Sequence, residues 1–454
     1  MSPTSGLPMR MHPLRIALLA LVVLLSAYIQ FSVATRTSID GPVRADAVKY
    51  VAYAWNLKHY QTFSHAPFWT AAPSVSPAPD KLTLPGYPVF LSALLGPEVD
   101  QSFVDRVVVA QAAIGVGTCL LTLLLALRLM PFGFAIAAGL LTAISPHLAT
   151  MSTYVLTEGL FTFLVTAALY LGACAIAPGS RLRRAALAGA MLGLASLVRP
   201  QMELLPWLLL VLCLAIPSWR VHSRKMAIGL ACFLLVTAPW QLRNLSVDSA
   251  PGDSDLLVST LYHGSFPNLM YENDPRTAGY AYRYDANAPK HSASIPAVLN
   301  HIADGFREHP LRYLGWYLLG KPLCFLSWED PANSGDIYIF PVTESPYLSD
   351  PFFAGLRALA YWLHWPLTLL ALAAMLAAAR RPTLLSPDRT QQTAIRLLAL
   401  TLSYVLAMHM IGAPYPRYSI PFRPLIYLLA MTMVTAMWHC QFRQMFIVKQ
   451  RGIE

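Results

Sequence analysis

Few residues in this chain are able to do chemistry, and their apolar surroundings make them stand out. Asp46 opens the stretch Asp46-Ala-Val-Lys-Tyr-Val-Ala-Tyr-Ala-Trp-Asn-Leu, whose spacing predicts a short helix. Positions 46, 49, 53, 56 and 60 share one face and give Asp, Lys, Tyr, Asn and Tyr, with Val48, Val51, Ala52 and Trp55 opposite. The dipole favours a carboxylate in a first turn, so Asp46 reads as a helix-starting acid unless something else needs it. Thr157-Glu158 precedes a long apolar run. A carboxylate there is helped by the dipole yet costly beside hydrocarbon, which makes it a functional candidate. Arg199-Pro200 (near Glu203), Arg243 after Pro239-Trp240, and Arg417-Tyr418 stand at the ends of other apolar runs. Snorkelling explains each arginine alone. Gathered on one membrane face, they suggest a polar cavity that could hold an anionic headgroup, because guanidinium forks match phosphate. Leu84-Pro85-Gly86-Tyr87-Pro88 is a rigid turn feeding an apolar segment, and a simple re-entry into the membrane would look the same.

The elements that must position these residues are membrane helices. Of 454 residues, 56% are hydrophobic and only 12% charged, about half the usual share of a soluble domain. Mean hydropathy is +0.48. This composition excludes a soluble enzyme, a disordered chain and a secreted disulfide scaffold, and it argues against a nucleic-acid binder despite the net charge of +10. Ten stretches suit crossing: Leu14–Ala34, Val104–Leu129, Phe132–Ala149, Tyr154–Ala177, Ala185–Val198, Leu204–Ile216, Met226–Trp240, Phe353–Ala379, Ile395–Ile411 and Ile420–His439. The fold class is therefore an all-α polytopic membrane protein, with about ten transmembrane helices and two large external loops carrying amphipathic surface helices.

Lys and Arg mark the cytoplasmic side. Arg10/Arg15, Arg128, Arg181/Arg183/Arg184, Arg220/Arg224/Lys225, Arg380/Arg381/Arg389/Arg396 and Arg443/Lys449/Arg451 hold 16 of the 33 basic residues, opposed there only by Asp388 and Glu454. Both termini are then cytoplasmic. Segments 35–103, 145–153, 241–352 and 412–419 face outward. Leu311–Trp328 is expected to lie on the outer surface as an amphipathic helix with Arg312 and Lys321 as its basic edge, because the following Glu329–Asp350 carries five acids and no Lys or Arg. The first apolar run is long for a signal peptide and reads as a retained anchor.

Several motifs fail on inspection. Gly315-Trp-Tyr-Leu-Leu-Gly320-Lys321 mimics a phosphate loop, but Pro322 follows and its loop positions are bulky. Gly115 and Gly117 lie mid-span and suit helix packing. Cys119, Cys174, Cys213 and Cys232 fall inside spans and Cys440 on the cytoplasmic side, so Cys324 alone faces outward. No disulfide and no zinc spacing is implied. A transporter would place ionisable groups near the bilayer midplane on interrupted helices in paired halves, whereas the charges here stand at outer helix ends and no repeat is apparent.

The order of motifs resembles a known family. An external Asp with a Tyr four residues on is followed by Pro-Gly-Tyr-Pro, Thr-Glu, Gly-Leu-Ala-Ser-Leu-Val-Arg-Pro and Pro-Trp-Gln-Leu-Arg-Asn. His309-Pro310-Leu311-Arg312-Tyr313-Leu314 and Arg417-Tyr418 come later. The set is similar to the GT-C superfamily of polytopic glycosyltransferases, in particular bacterial relatives of dolichyl-phosphate-mannose–protein mannosyltransferases and lipid A aminoarabinose transferases. It spans about residues 14 to 430 and weakens across Ser246–Asp304. The resemblance implies an inverting enzyme that moves a sugar from a polyprenyl-phosphate donor to a glycan, lipid or protein acceptor on the outer face of a bacterial inner membrane. It implies Asp46 as the first-loop catalytic Asp, with Asp40 a weaker candidate. Relatives often carry a second acid directly after this Asp, but Ala47 stands here, which leaves the acceptor class open. Glu158 joins the candidate catalytic residues. Arg243, Arg199, Arg417 and Lys321 (with Arg312) are candidate donor-phosphate contacts, and Lys49, Tyr50, Tyr87 and Tyr418 candidate substrate contacts. A lipid-phosphate leaving group needs no nucleotide-binding metal, so no cofactor is expected. Some members use a divalent ion, for which Asp46 and Glu158 would be the ligands. The expected organisation is a catalytic module over 1–243 with first external loop 35–103, an external region 244–352 with surface helix 311–328, membrane helices over 353–440 and a cytoplasmic tail 441–454. A transporter or lipid-linked sugar flippase, or an envelope polysaccharide polymerase or ligase, are the alternative readings. Acceptor choice is expected to reside in 246–304.

Overall fold

A helix rises about 1.5 Å per residue, so crossing about 30 Å of hydrocarbon takes about 20 apolar residues. In the computed structural model, which describes residues 12–67, 76–247, 253–329 and 341–451, seven helices meet that requirement. They are α1 (Pro13–Arg36), α4 (Gln101–Leu129), α7 (Glu158–Ile176), α10 (Ser223–Leu245, led in by a 3₁₀ turn from Pro217), α17 (Pro351–Arg380), α18 (Arg389–Ile411) and α19 (Arg423–Arg451, led in by a 3₁₀ turn from Pro416). The chain is a multi-pass membrane protein, with seven candidate spans among the described residues where ten stretches were expected. The other three expected spans are helical but short: α5 (Phe132–Ala143) has 12 residues, α8 (Leu182–Val198) 17 and α9 (Leu205–Ala215) 11. Proline cuts them. The short helix α6 (Pro146–Thr150) restarts after α5, and Pro200 forces Arg199 into extended backbone, φ −145°, which ends α8.

Shorter elements occupy the connections. The first loop carries α2 (Asp46–Tyr60) and α3 (Gly86–Leu94). Between α10 and α17 come α11 (Asp253–Ser265), α12 (Ala288–His291), α13 (Ile295–Glu308), α14 (Pro310–Gly315), α15 (Lys321–Phe325) and α16 (Pro346–Ser349). Strand β1 (Ser38–Ile39) pairs antiparallel with β2 (Val342–Glu344), tying the first loop to the segment before α17. Arg36 adds an ion pair to Asp350 at 2.9 Å.

The central span is the last: 83% of its apolar window is buried, against 28% for α1 at the periphery. Around α19 the core joins α4, α7, α17 and α18 through residues such as Phe161, Phe422, Leu425 and Ile395. Helices α8 and α10 cross closely, since a Cβ on Gly189 would overlap the Gly229 carbonyl. Gly115 packs on Gln30 and Gly117 on Phe163, as helix-packing glycines do.

One expectation for the region between α10 and α17 changes. The expected surface helix is a continuous run of α14, a π turn (Trp316–Gly320) and α15, and it is anchored rather than floating. Trp316, Lys321 and Phe325 are buried, while Leu311, Leu319 and Leu323 are exposed. Lys321 is thus the buried face, not a basic edge. The stretch expected to hold acceptor choice, 246–304, contains a small core of its own, of Val258, Leu261, Tyr262, Phe266, Ala281 and Val298. At its centre Asp285 accepts hydrogen bonds from the Tyr262 hydroxyl, the Asn287 backbone N–H and His291 Nδ1. Much of the acidic stretch Glu329–Asp350 (330–340), and also Arg10, lie outside the described residues.

Candidate functional site

The elements bring three of the expected charged residues into contact and add a fourth at their edge. Glu158 is the first residue of α7 and is fully buried. Its Oε1 lies 2.6 Å from Arg199 Nη1 and 2.9 Å from Arg417 Nε. Pro200 is the reason Arg199 reaches it, because the extended residue leaves α8 and turns its side chain across to α7. Arg417 arrives from the 3₁₀ turn between α18 and α19, set by Pro414 and Pro416. Thr157 closes the group: its hydroxyl donates to Glu158 Oε2 at 3.3 Å and accepts from Arg199 at 3.1 Å.

Asp46 approaches from the other side. Arg417 Nη2 lies 3.4 Å from Asp46 Oδ2, a long contact, and the Asp46 side chain is 57% exposed against 0% for Glu158. So Arg417 bridges two carboxylates of opposite character, one enclosed and saturated, one open. Ala45, directly before Asp46, has φ 51° and ψ −124°, a conformation that costs a residue with a Cβ on the order of 1–3 kcal/mol. Ala47 is fully buried in the main core, so an acid at that position would be driven into apolar packing.

Aromatic rings line this group. The Tyr418 ring lies 5.0 Å from the Arg199 guanidinium and 5.7 Å from that of Arg417. Tyr50, one turn on from Asp46, meets Tyr87 edge-on at 5.3 Å. Burial, then the charges of Asp46 and Glu158, push the Tyr50 phenol well above its ordinary range, so it stays an O–H donor. Tyr87 is itself fully buried and donates to Gln111 Oε1 at 2.9 Å. It backs Tyr50 instead of facing open space. Lys49 is half-buried on α2, and Asp40 is exposed in the β1 segment, its N–H on the Pro341 carbonyl at 3.0 Å.

Two expected phosphate contacts are used elsewhere. Arg243 donates to the carbonyls of Asp80 and Phe63 and packs on the Trp240 ring at 4.9 Å. It pins the first loop. Lys321 is fully buried and donates to the Gly412 carbonyl at 2.9 Å and the Ile411 carbonyl at 3.2 Å, with its ammonium 3.8 Å from the Tyr317 ring centre. These carbonyls end α18, where the helix dipole is negative. Burial lowers the Lys321 pKa to about 7.

Other residues escaped the sequence reading. Asp80 accepts from the Tyr53 hydroxyl, from the backbone N–H and Nδ1 of His65, and from the Leu82 N–H. Burial pushes its carboxyl up, but these donors outweigh burial and hold it below the usual carboxylate range. Asn56 donates to the carbonyls of Ser64 and Ala66, both at 2.9 Å. The polar face of α2 beyond Asp46 therefore folds the loop over itself, with Tyr53 and Asn56 buried. His409, near the end of α18, stacks on Phe325 at 4.3 Å and is 3.1 Å from Gln201 Nε2. An ionisable side chain inside an apolar run was the available signal for it.

Chemically, the cluster is a pair of carboxylates balanced by a pair of guanidiniums, with N–H donors of both arginines not engaged by Glu158 or Asp46. The Asp46–Glu158 pair does not fit a divalent ion as it stands, because the Arg417 guanidinium occupies the space between them. Among the described residues no group of three His, Cys, Asp or Glu side chains could hold a metal ion.

No family model matches the sequence, and no curated protein matches it. Solved structures do. The archaeal oligosaccharyltransferase AglB from Archaeoglobus fulgidus, in complex with an inhibitory peptide and a dolichol-phosphate, is 14% identical with a TM-score of 0.50 over 92% of this chain. This chain spans only 50% of that structure's length. ArnT from Cupriavidus metallidurans bound to undecaprenyl phosphate is 15% identical, TM-score 0.38, covering 90% of this chain and 77% of that one. The arabinosyltransferase EmbB from Mycobacterium smegmatis is 16% identical, TM-score 0.36, covering 92% and 42%. Over most of its length the chain is similar in structure to GT-C lipid-linked-sugar glycosyltransferases, and that likeness is one of fold.

Proposed function

We propose that this protein is an inverting glycosyltransferase that moves a sugar from a polyprenyl-phosphate donor to an envelope glycan, lipid or protein, on the membrane face opposite the basic helix ends. One observation carries the reading: an open carboxylate, Asp46, stands beside a buried arginine–carboxylate cluster at one end of the bundle. The fold shared with a lipid-linked-sugar transferase that was solved with dolichol-phosphate supports a lipid-phosphate donor.

In this reading Asp46 takes the proton from an acceptor hydroxyl. The acceptor oxygen attacks the anomeric carbon from the side opposite the phosphate, the carbon–oxygen bond to phosphate breaks, and polyprenyl phosphate departs with its charge. Arg417 lies next to Asp46, and its guanidinium offers donors to that leaving oxygen. Glu158 holds Arg417 and Arg199 in place and is too enclosed to exchange protons with a substrate. Arg199 and Glu158 are positioning residues, as are Arg243 for the first loop and Lys321 for the end of α18. Tyr50 and Tyr418 would present O–H donors and ring faces to the sugar.

The test is Asp46→Asn in membranes supplied with polyprenyl-phosphate sugar. Transfer should fall by at least about 100-fold with normal expression, the scale of a lost general base. Full transfer activity would reject the assignment.

A further inference from the structure

A cavity of about 120 Å³, continuous with an open cleft, lies away from the acidic cluster, between α7, α8, α9, α10 and α18. Its walls are almost wholly apolar, among them Val165, Leu169, Leu205, Leu209 and Leu397. Along α7 the lining runs from Val165, two turns below Glu158, to Ile176 at the helix end. That is 11 residues or about 16 Å, the hydrocarbon depth of one leaflet.

Trp219, His222 and Lys225 line the end of the cavity nearest the basic helix ends. Lys225 donates to the carbonyls of Ala175 and Ala177 and to Ser180 Oγ, so its ammonium is fixed at the end of α7. His222 Nδ1 is buried there with no hydrogen-bond partner among the described residues. Arg181 at the start of α8, Arg183 in its first turn, and Arg220 and Arg224 before and in α10 are exposed around the same end. None of the ion pairs among the described residues involves these cations.

An apolar slot one leaflet deep, with a tryptophan and a ring of uncompensated cations at its rim, has the chemistry of an anionic phospholipid site. We infer that it holds an acyl chain of an anionic phospholipid from the leaflet at the basic end, with the headgroup phosphate against His222 and the surrounding arginines. The site is separate from the proposed transfer site, about two helical turns or more from Glu158 along α7.

The test uses the full chain reconstituted in an equimolar phosphatidylglycerol and phosphatidylcholine bilayer, then extracted, with retained lipid identified by native mass spectrometry. The wild type should retain phosphatidylglycerol in preference. Ala188→Phe, which fills the slot, should abolish retention of both lipids. Arg220→Gln with Arg224→Gln leaves the slot open and should keep retention while lowering the preference roughly fivefold per arginine removed. Equal retention of the two lipids by the wild type, or undiminished phosphatidylglycerol in Ala188→Phe, would overturn the inference. So would displacement of phosphatidylglycerol by added polyprenyl phosphate, which would assign the slot to a tail entering from the other end.

Discussion

Replacing Glu158 with glutamine removes the one negative charge that is enclosed with two guanidiniums. Arg199 and Arg417 are only 11% and 17% exposed, and both meet the same oxygen, at 2.6 and 2.9 Å. Breaking a buried pair leaves an uncompensated charge and costs about 3–5 kcal/mol. Here two cations lose their partner at once, but Arg417 retains the open Asp46 at 3.4 Å, so the lower half of that range is expected. Asp46→Asn is the contrasting change. Its side chain is 57% exposed and its contact with Arg417 is long, which puts the pair among exposed ion pairs worth about 0–1 kcal/mol. Thermal or denaturant unfolding of the purified protein in detergent should therefore separate the two variants: Glu158→Gln loses stability and activity together, Asp46→Asn loses activity alone. The reasoning fails if Glu158→Gln unfolds like the wild type while turnover drops, because Glu158 would then be acting on substrate and not on the arginines.

Three further outcomes follow from the same geometry. Arg243→Lys should loosen the first loop almost as much as Arg243→Ala, because a single ammonium cannot reach the Asp80 and Phe63 carbonyls together; faster proteolysis within 61–82 measures it. Burial lowers Lys321 to about 7, so the folded state releases this proton before the unfolded state does. Its burial penalty is complete below pH 7 and lifts as pH rises toward the unfolded value near 10.4, adding at most about 1.4 kcal/mol per pH unit; Lys321→Met should flatten that part of the stability–pH curve. Asp80 is also shifted downward, below the usual carboxylate range, so it acts in the acid limb instead. Its contribution is present above pH about 4 and is lost as pH falls further, and Asp80→Asn should remove this acid sensitivity of the first loop, read by hydrogen exchange of the His65 and Leu82 amides.

The membrane-helix character of the chain was legible because hydropathy is a property of whole segments. Each of the ten apolar stretches contains a helix, and α2 starts at Asp46 as the spacing required. What the pattern could not fix was length. The expected stretch 132–149 runs through a break at Ile144-Ser145, after which Pro146 starts α6, whereas Arg199, Pro200, Gln201 and Glu203 interrupt the apolar pattern in the sequence itself. Pro200, which ends α8 at Val198 where the sequence placed the boundary, also turns Arg199 into the cluster.

Residue type at an outer helix end was a sound guide to which side chains are committed, and a poor guide to what they are committed to. Arg199, Arg417, Arg243 and Lys321 look alike in sequence, each a cation beside an apolar run. Two meet a carboxylate and two meet backbone carbonyls. A carbonyl at a helix end and a phosphate oxygen make similar demands of a cation, and choosing between them needs the position of the other chain segment. For Arg243 that segment is 163 residues away, and for Lys321 it is 91. Asp80 shows the converse. It sits in a proline-rich loop with no periodic signal, yet it takes donors from Tyr53, His65 and Leu82. Loop carboxylates gain their role from what folds over them, and that is written in long-range contacts rather than in spacing. Asp46 differs from all of these: a helix-starting acid is visible in sequence without its partner, and in the fold it stays 57% exposed with one long contact to Arg417, which is why the proposed general base is placed there.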